Sequence, residues 1–297
     1  MLFKPFALSF ERAIITDFLA MKKDFHMHTY LSDGTPSPQD LVKACLELNL
    51  EEISITDHDS IGSYPEALEY AKGTNLRITP GAELDCTYGE LEIHMLGLNL
   101  DTRNWALNEH LVSIQGARKR RAQEQADAIN RFYGKQVINL DAICSRCQTF
   151  MNPHLIHALL DQGFYDEYHP ADRYKKAQQW MKKNIRVDAT IEKPTSEEMF
   201  RIIHQAGGIG VLAHPGYYLK DGINVHKMID ELKDMGMDGL EVIYPYFQEG
   251  SREFPSLEQE KEAIQILHEL AVRYELIETT GSDAHELQQL VTWHSRS

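Results

Sequence analysis

Two histidine-containing motifs follow directly after short apolar runs of the chain. Residues 53–55 (Ile-Ser-Ile) precede Thr-Asp-His-Asp at 56–59, and residues 209–212 (Ile-Gly-Val-Leu) precede Ala-His-Pro at 213–215. Short apolar runs are typical of buried parallel strands, and parallel α/β proteins place their chemistry at the carboxyl ends of these strands. The chain is therefore expected to fold around a parallel sheet or barrel whose functional residues share one rim.

Further histidine and carboxylate motifs are spread over the rest of the chain. His26 and His28 are two residues apart, which would place both on one face of a strand, and Asp33 follows in a loop. Glu83 and His94 come next, and Gly-Ser-Asp-Ala-His occupies 281–285. Imidazole and carboxylate together suit zinc, manganese or iron, and a carboxylate can bridge two ions. The pattern indicates a hydrolase with more than one metal ion.

Composition excludes several other classes of protein. With 297 residues, 42% of them hydrophobic and 25% charged, the chain has the composition of a soluble globular protein, and no apolar run approaches the roughly 20 residues of a membrane span. The four cysteines do not form a secreted disulfide framework, so a cytoplasmic location is expected. A net charge of −15 argues against an anionic membrane or a long nucleic acid as a stable partner, unless a local basic patch such as residues 118–121 (Arg-Lys-Arg-Arg) binds it.

The order of predicted elements changes twice along the chain. Short strands at 53–56, 76–79 and 91–98 alternate with helical patterns, and alternation resumes with strands at 209–213, 239–243 and 276–279. Repeated β-α units predict parallel strands. Between them, residues 102–193 have charged helical patterns, which we interpret as a helical insertion over the active-site mouth. The predicted domains are a barrel at 22–101 and 194–297, this insertion, and an N-terminal extension at 1–21.

Taken together, these motifs resemble the PHP (polymerase and histidinol phosphatase) superfamily. The resemblance rests on residues 26–28 with 32–34, on 56–59, on Pro-Gly-Ala-Glu at 80–83, on Glu-Ile-His at 92–94, on Ala-His-Pro-Gly at 213–216 and on 281–285. It runs in order from about residue 23 to residue 286. Within the superfamily, the chain is most similar to metal-dependent phosphoesterases that include nucleotide 3′,5′-bisphosphate phosphatases and a 5′-3′ exoribonuclease.

The resemblance implies a fold and a set of ligands. The fold would be an α/β, distorted (β/α)7 TIM-like barrel with a helical insertion, and its site would hold two to three divalent ions (Mn²⁺, Fe²⁺ or Zn²⁺). Glu83 would bridge two of these ions, of which the first would also contact His26, His28 and Asp283 and the second His94 and His214. Asp33, His58 and His285 would hold the third. The implied ligands are His26, His28, Asp33, His58, Glu83, His94, His214, Asp283 and His285.

Such a site suits hydrolysis of a phosphoester. Two neighbouring ions lower the pKa of a bridging water toward about 7, and they neutralise the phosphoryl oxygens during in-line displacement. The residues expected to matter most for catalysis are Asp33, His58, Glu83 and Asp283. Asp57 and Asp59, on either side of His58, are expected to orient its ring.

Substrate contacts are predicted from the insertion and from one loop. Arg118 and Arg121 are three residues apart on a predicted helix, so they share a face that either contacts a substrate phosphate or is simply solvated. His154 and Tyr217 are further candidates by resemblance. Tyr217 stands where relatives frequently have a basic residue, and Asn152 where they commonly have Arg. These departures favour a less charged phosphoester as substrate.

The leading hypothesis is a metal-dependent phosphoesterase that hydrolyses phosphomonoesters of nucleotides or short oligonucleotides by a metal-bridged hydroxide. Three alternatives remain: a histidinol-phosphate phosphatase, a 5′-3′ exoribonuclease, and a metal-binding scaffold without catalysis. The helical insertion argues against the first alternative, and the competent side chains at all nine ligand positions argue against the scaffold. The expected partner is a small phosphorylated substrate.

Overall fold

The structure is a computed structural model that describes residues 22–220, 222–247 and 253–296. The predicted N-terminal extension lies outside these residues. The strands are β1 (Lys23–Asp24), β2 (Glu52–Ile53), β3 (Arg77–Ile78), β4 (Gly81–Tyr88), β5 (Leu91–Leu98), β6 (Ile209–Leu212), β7 (Gly239–Ile243) and β8 (Ile277–Thr280). The helices are α1 (Pro38–Glu47), α2 (Tyr64–Tyr70), α3 (Trp105–Tyr133), α4 (Leu140–Cys144), α5 (Asn152–Asp161), α6 (Pro170–Asn184), α7 (Ser196–Gln205), α8 (Gly216–Lys220), α9 (Val225–Asp234), α10 (Leu257–Arg273) and α11 (Leu287–His294).

The strands form two sheets that meet at their edges. One is parallel with the order β1-β2-β3, and the other has the order β4-β5-β6-β7-β8. Isolated parallel bridges continue the contacts between the sheets, from Met27 to Ala284 and from His58 to Glu83. The α/β class predicted from the sequence is confirmed. The two sheets do not close into one continuous ladder, so the structure does not establish a complete barrel.

The expectation of parallel strands is wrong for β5. This strand is antiparallel to both β4 and β6. Only Gly89 and Glu90 separate β4 from β5, and a two-residue connection can join antiparallel strands but not parallel ones. Gly89 has φ +60°, a left-handed conformation that glycine adopts without strain. Strand β4 itself was not predicted.

Most other elements lie where the sequence places them. Strands β5 and β7 have the predicted bounds, and β2, β3, β6 and β8 are within a few residues of theirs. A capping box begins α7, because Thr195 accepts from the Glu198 backbone and the Glu198 side chain accepts from the Thr195 backbone. Apolar periodicity and helix caps are local signals, which explains their agreement with the structure.

Three large buried apolar clusters support these elements, and a small fourth one joins β5 to β6. One lies between the five-stranded sheet and helices α7, α9 and α10, and a second lies between the three-stranded sheet and α1 and α2. The third joins α3, α5 and α6, with Ile129, Leu155 and Ala177 at its centre. Residues 102–193 thus have a core of their own, as expected of an insertion. The predicted domain boundaries stay a prediction.

Helix α3 and the segment before α5 contact the loops that follow β1 and β2. Gln115 donates to the Asp59 carbonyl at 2.8 Å, and the backbone N–H groups of Gln148 and Thr149 donate to the Leu31 carbonyl at 2.8 and 3.0 Å. These contacts fix the insertion beside the rim that carries the histidine motifs. Among the residues that the structure describes, no helix combines the length and hydropathy required to span a bilayer.

Candidate metal centre

The nine predicted ligands lie together where the strands and their following loops meet. Eight of them belong to three groups in which all donor atoms are within 4.8 Å of one another. The ninth, His214, has its Nε2 atom 3.1 Å from Glu83 Oε1. The three groups are His26, His28, Glu83 and Asp283; His28, Asp33, His58 and His285; and His58, Glu83 and His94.

Glu83 lies at the centre of the constellation. It is on β4, 1% exposed, and its backbone pairs with the loop after β2. Its Oε2 atom is 3.2 Å from His26 Nε2 and 3.3 Å from both His28 Nε2 and His58 Nδ1. Its Oε1 atom is 2.8 Å from His94 Nδ1. One carboxylate therefore faces five imidazoles. Its Oε2 atom faces the rings of His26, His28 and His58, and its Oε1 atom faces those of His94 and His214.

A second focus forms around Asp33. Its Oδ1 atom is 3.3 Å from His285 Nε2, 3.8 Å from His28 Nδ1 and 3.9 Å from His58 Nε2. His58 therefore has one ring nitrogen toward Asp33 and the other toward Glu83. The sequence-based partition assigned His58 to the third ion alone, whereas this position lets it serve either neighbouring ion.

One specific observation supports the fit of this donor set to divalent cations. Five buried polar atoms, which point into the constellation, lack a hydrogen-bond partner of proper geometry within the described residues. They are His26 Nε2, His28 Nε2, His58 Nδ1, Asp33 Oδ1 and Asp85 Oδ1. Buried polar groups are normally satisfied, so a cluster of unsatisfied ones requires an explanation. Cations coordinated by these atoms would supply it.

Charges within the cluster shift its pKa values in opposite directions. Burial lowers the pKa of the His28 and His94 rings, but the neighbouring carboxylates outweigh burial and raise these pKa values to about 10 and about 9. Burial alone would raise the pKa of Glu83, yet the surrounding histidines hold it well below its usual range. The metal-free rings therefore carry protons at neutral pH. Because a cation binds only the deprotonated ring, metal uptake must release protons.

Glu241 supports two of the histidines and was missed in the sequence. It lies on β7, fully buried, where Oε1 is 2.9 Å from His26 Nδ1 and Oε2 accepts the His214 backbone N–H at 2.7 Å. A carboxylate on the far nitrogen of a histidine fixes the tautomer that leaves the other nitrogen for a metal. An acidic residue inside the apolar run 239–243 was the signal that could have identified it.

We expect Glu241→Gln to weaken metal binding about 10- to 100-fold without unfolding the protein, because the amide cannot support both groups as the carboxylate does. Titration against a chromophoric chelator measures this affinity. Glu260→Gln is the matched control, since Glu260 is also a buried carboxylate that accepts a backbone N–H, from Phe247 at 2.8 Å, outside the site. Equal metal affinity in both variants would contradict the role assigned to Glu241.

Asp57 positions a loop and not the His58 ring. It accepts hydrogen bonds from the Thr29 backbone at 2.7 Å and hydroxyl at 2.8 Å, and from the Ser32 hydroxyl at 2.7 Å. Ser32 Oγ is in turn 3.4 Å from His28 Nδ1. Within the described residues neither Asp57 nor Asp59 hydrogen-bonds His58, so the expectation that they orient this ring is wrong. Asp57 acts on His28 through Ser32.

Asp59 belongs instead to a buried ion-pair network. Arg118 donates to Asp59 Oδ2 at 2.9 and 2.7 Å and to Asp85 Oδ2 at 2.6 Å, and Lys193 also donates to Asp85 at 2.7 Å. The other Asp85 oxygen is 3.6 Å from His58 Nδ1 and 3.5 Å from His94 Nε2. Arg118 is only 7% exposed, so it does not lie on a solvated helix face. Its surroundings favour holding Asp59 and Asp85 in place, and contact with substrate stays a prediction.

The other predicted substrate residues lie at different places around the rim. Arg121 donates to the Ala189 carbonyl at 2.6 Å, which ties α3 to the end of the insertion. His154 accepts the Met151 backbone N–H at 3.0 Å. Burial lowers its pKa, and both the hydrogen bond with the Met151 backbone and the charge of Asp33 oppose that shift. Tyr217 packs 5.9 Å from the His214 ring, and burial raises its pKa to about 12.

Backbone strain coincides with the site. His214, Asp283 and Asp59, the last adjacent to His58, have φ values of 35°, 48° and 45°. Left-handed conformations cost non-glycine residues about 1–3 kcal/mol and are concentrated at functional sites. Gly281, before Asp283, has no room for a side chain, because a Cβ there would meet Glu241 Oε1 and His26 Cβ at 2.3 Å.

Comparison with known proteins agrees with this geometry. A 5′-3′ exoribonuclease from Haemophilus influenzae is 28% identical over 273 residues, which cover 90% of this chain and 91% of that protein. A 3′,5′-nucleoside bisphosphate phosphatase from Chromobacterium violaceum is 25% identical over 279 residues, which cover 88% of this chain and 86% of that protein. A structure from Bifidobacterium adolescentis, solved as a metal-dependent phosphoesterase, superposes with a TM-score of 0.72 at 27% identity, covering 89% of this chain and 87% of that one.

The family itself is established by a match over more than half of the chain. The PHP domain matches residues 24–193, which include the first six predicted ligands. The resemblance inferred from the motifs is thereby confirmed, and the relatives are phosphoesterases, as the sequence predicts. The chain belongs to the PHP domain family.

Proposed function

We propose that the chain is a metal-dependent phosphoesterase that hydrolyses phosphomonoesters of nucleotides or short oligonucleotides. The proposal rests on the convergence of eight predicted ligands in three groups. Five buried donor atoms of these ligands and of Asp85 lack a hydrogen-bond partner within the described residues. The names of the relatives support the same class of substrate, since one is a nucleoside bisphosphate phosphatase and another an exoribonuclease.

The site would hold two to three divalent ions, with Mn²⁺, Fe²⁺ and Zn²⁺ as the candidates for this donor set. Glu83 would be shared between ions, with His26, His28 and Asp283 on one side and His94 and His214 on another. Asp33 and His285 would hold a further ion, with His58 available to either neighbour. When bound, such ions supply an acidified water and neutralise charge on the phosphoryl oxygens.

The exposure of the histidine side chains indicates the side from which substrate enters. His26 and His28 are fully buried, whereas the side chains of His94 and His285 are 26% and 31% exposed. The phosphoryl group therefore approaches from the side of His94 and His285. Tyr244 donates its hydroxyl to Asp283 Oδ2 at 2.7 Å, which leaves Oδ1 directed at His26 and His28. The two sheets would correspond to the halves of a distorted (β/α)7 barrel, and residues 102–193 would cover part of its mouth.

We expect chelation with EDTA to abolish phosphate release from adenosine 3′,5′-bisphosphate, and manganese to restore it. Metal affinity should fall as the pH decreases from about 8 to about 6, because His28 and His94 have raised pKa values and protons compete for their rings. The checks are phosphate release and metal content at each pH. Histidinol phosphate serves as the comparison substrate. Turnover that survives exhaustive chelation would exclude the proposed function, and metal uptake without hydrolysis of any phosphoester would favour the scaffold.

A further inference from the structure

The insertion, residues 102–193, and the rest of the chain differ strongly in net charge. Residues 102–193 contain 15 of the 30 lysines and arginines but only 10 of the 45 aspartates and glutamates. This segment therefore has a net charge of +5, and the rest of the chain −20. A protein that is acidic overall thus has one basic part, and that part lies beside the metal centre. Such a distribution attracts an anionic ligand to the insertion specifically.

Helix α6 carries four of the eleven exposed lysines and arginines of the insertion, more than any other helix. In the basic run at 118–121 only Lys119 and Arg120 are exposed, because Arg118 is buried in ion pairs and Arg121 binds a carbonyl. Helix α6 buries Ala177 and Met181 against the insertion core. Its opposite face has four exposed lysines, and none of them forms an ion pair with a described residue. These are Lys175, Lys176, Lys182 and Lys183.

Aromatic rings lie beside these lysines. Phe132, 57% exposed at the end of α3, has its ring centroid 5.0 Å from that of Trp180 on α6. Lys176 lies over the ring of Tyr168 at 5.4 Å. Exposed aromatic rings interleaved with cations are the combination with which proteins bind single-stranded nucleic acids, since bases stack on the rings and phosphates contact the cations.

The helix that carries these lysines packs on the part of the insertion that contacts the metal-centre loops. The Tyr174 ring, near the start of α6, lies 5.5 Å from the His157 ring on α5, and the segment just before α5 donates two backbone hydrogen bonds to Leu31, between His28 and Asp33. From Tyr174 to Lys183 the helix advances about 14 Å, a length of several nucleotides, whose phosphates are about 3.4 Å apart along a stacked strand. A chain whose end occupies the metal centre could therefore continue along α6.

We propose that the exposed face of α6 binds the backbone of a single-stranded oligonucleotide whose terminal phosphoester lies at the metal centre. This inference rests on the proposed function and extends it, because it assigns the substrate beyond the scissile group. An anionic membrane would also attract the lysines, but it would not explain why the basic segment of the chain is the one that lies beside the metal centre.

The test is binding of a fluorescently labelled, 5′-phosphorylated hexaadenylate RNA to the full chain in EDTA, measured by anisotropy at several salt concentrations. The variant is Lys175→Gln/Lys182→Gln/Lys183→Gln. The control is Lys43→Gln/Lys227→Gln/Lys261→Gln, which removes the same charge from exposed sites on α1, α9 and α10. Each lost phosphate contact should reduce the salt slope of log affinity by about 0.7, so the α6 variant should lose about 2 and bind at least about tenfold more weakly at low salt.

The outcomes separate this inference from the proposed function. Weaker binding in the α6 variant and wild-type affinity in the control would support it, and a raised KM with unchanged kcat on the same RNA would add to that support. Equal affinity in both variants, no binding by the wild type, or loss of binding to phosphatidylserine vesicles alone would overturn it. Failure of metal-loaded wild type to hydrolyse p-nitrophenyl phosphate would count against the proposed function, while the binding comparison in EDTA would still decide the α6 surface.

Discussion

Replacing Glu83 by glutamine should reduce kcat by about three powers of ten, or about 4 kcal/mol of activation free energy, and should also reduce the metal content. The two oxygens of this carboxylate face five imidazoles at 2.8 to 3.3 Å, and the side chain is 1% exposed. An amide of the same shape presents one neutral oxygen and one N–H₂ group, so it cannot serve ions on both sides. Steady-state turnover and metal analysis of the same preparation measure both effects.

The control for this variant is Glu278→Gln. Glu278 is on β8 and pairs with His268 Nδ1 at 2.9 Å, so it tests the loss of a carboxylate–imidazole pair outside the centre. Asp283→Asn gives a second reading if Glu83→Gln folds poorly, because Asp283 is 19% exposed and lies at the edge of the same group. Near-wild-type turnover and metal content in both variants would remove Glu83 and Asp283 from the ligand set.

The residues that bear the chemistry were predictable because each belongs to a short motif. His26 and His28, or Asp283 and His285, are recognisable from their neighbours alone, and the structure brings them together with Glu83. The supporting carboxylates were not predictable in this way. Glu241 and Asp85 belong to none of the recognised motifs, and only the pairing of β4 with β5 places Asp85 opposite His94. Such contacts depend on register and packing, which a single sequence does not specify.

Fold prediction succeeded and failed for related reasons. Apolar periodicity is a local signal, so most strands were found where they occur. Strand direction depends on the connection, and the two-residue turn between β4 and β5 was not predicted. Because that turn was missed, the antiparallel pairing of β4 with β5 was missed as well. Closure of the sheets is a property of the whole molecule, and a pattern of β-α units does not determine it.

The same dependence on packing explains why the basic run at 118–121 was interpreted as a cationic surface. The run suggested a cationic surface, but Arg118 falls in the buried stripe of α3 with Leu107, Leu111 and Ile114, at spacings of three and four residues. This periodicity was visible in the sequence and would have placed Arg118 on the inner face. Its buried partners, Asp59 and Asp85, were not visible, because they come from a loop and a strand distant in the chain.

Arg118→Met should lower the free energy of unfolding by about 3–5 kcal/mol, because it leaves two buried carboxylates with less compensation. Asp59 is fully buried, and its described cationic partner is Arg118 at 2.7 Å, while Asp85 would retain Lys193 at 2.7 Å. Asp59 already has a raised pKa, from burial and from the charge of Asp85, which Arg118 opposes. Denaturant unfolding of the metal-free protein measures the loss.

Arg120→Met is the matched control, since Arg120 is on the same helix, exposed, and two residues away. It should change the free energy of unfolding by no more than about 0.5 kcal/mol. If both variants unfold like the wild type but Arg118→Met raises KM for a nucleotide substrate, Arg118 contacts phosphate and the structural role fails. If Arg118→Met is destabilised and recovers on addition of Asp59→Asn, the cost lies in the unpaired carboxylate, since the second substitution removes the charge that lost its partner.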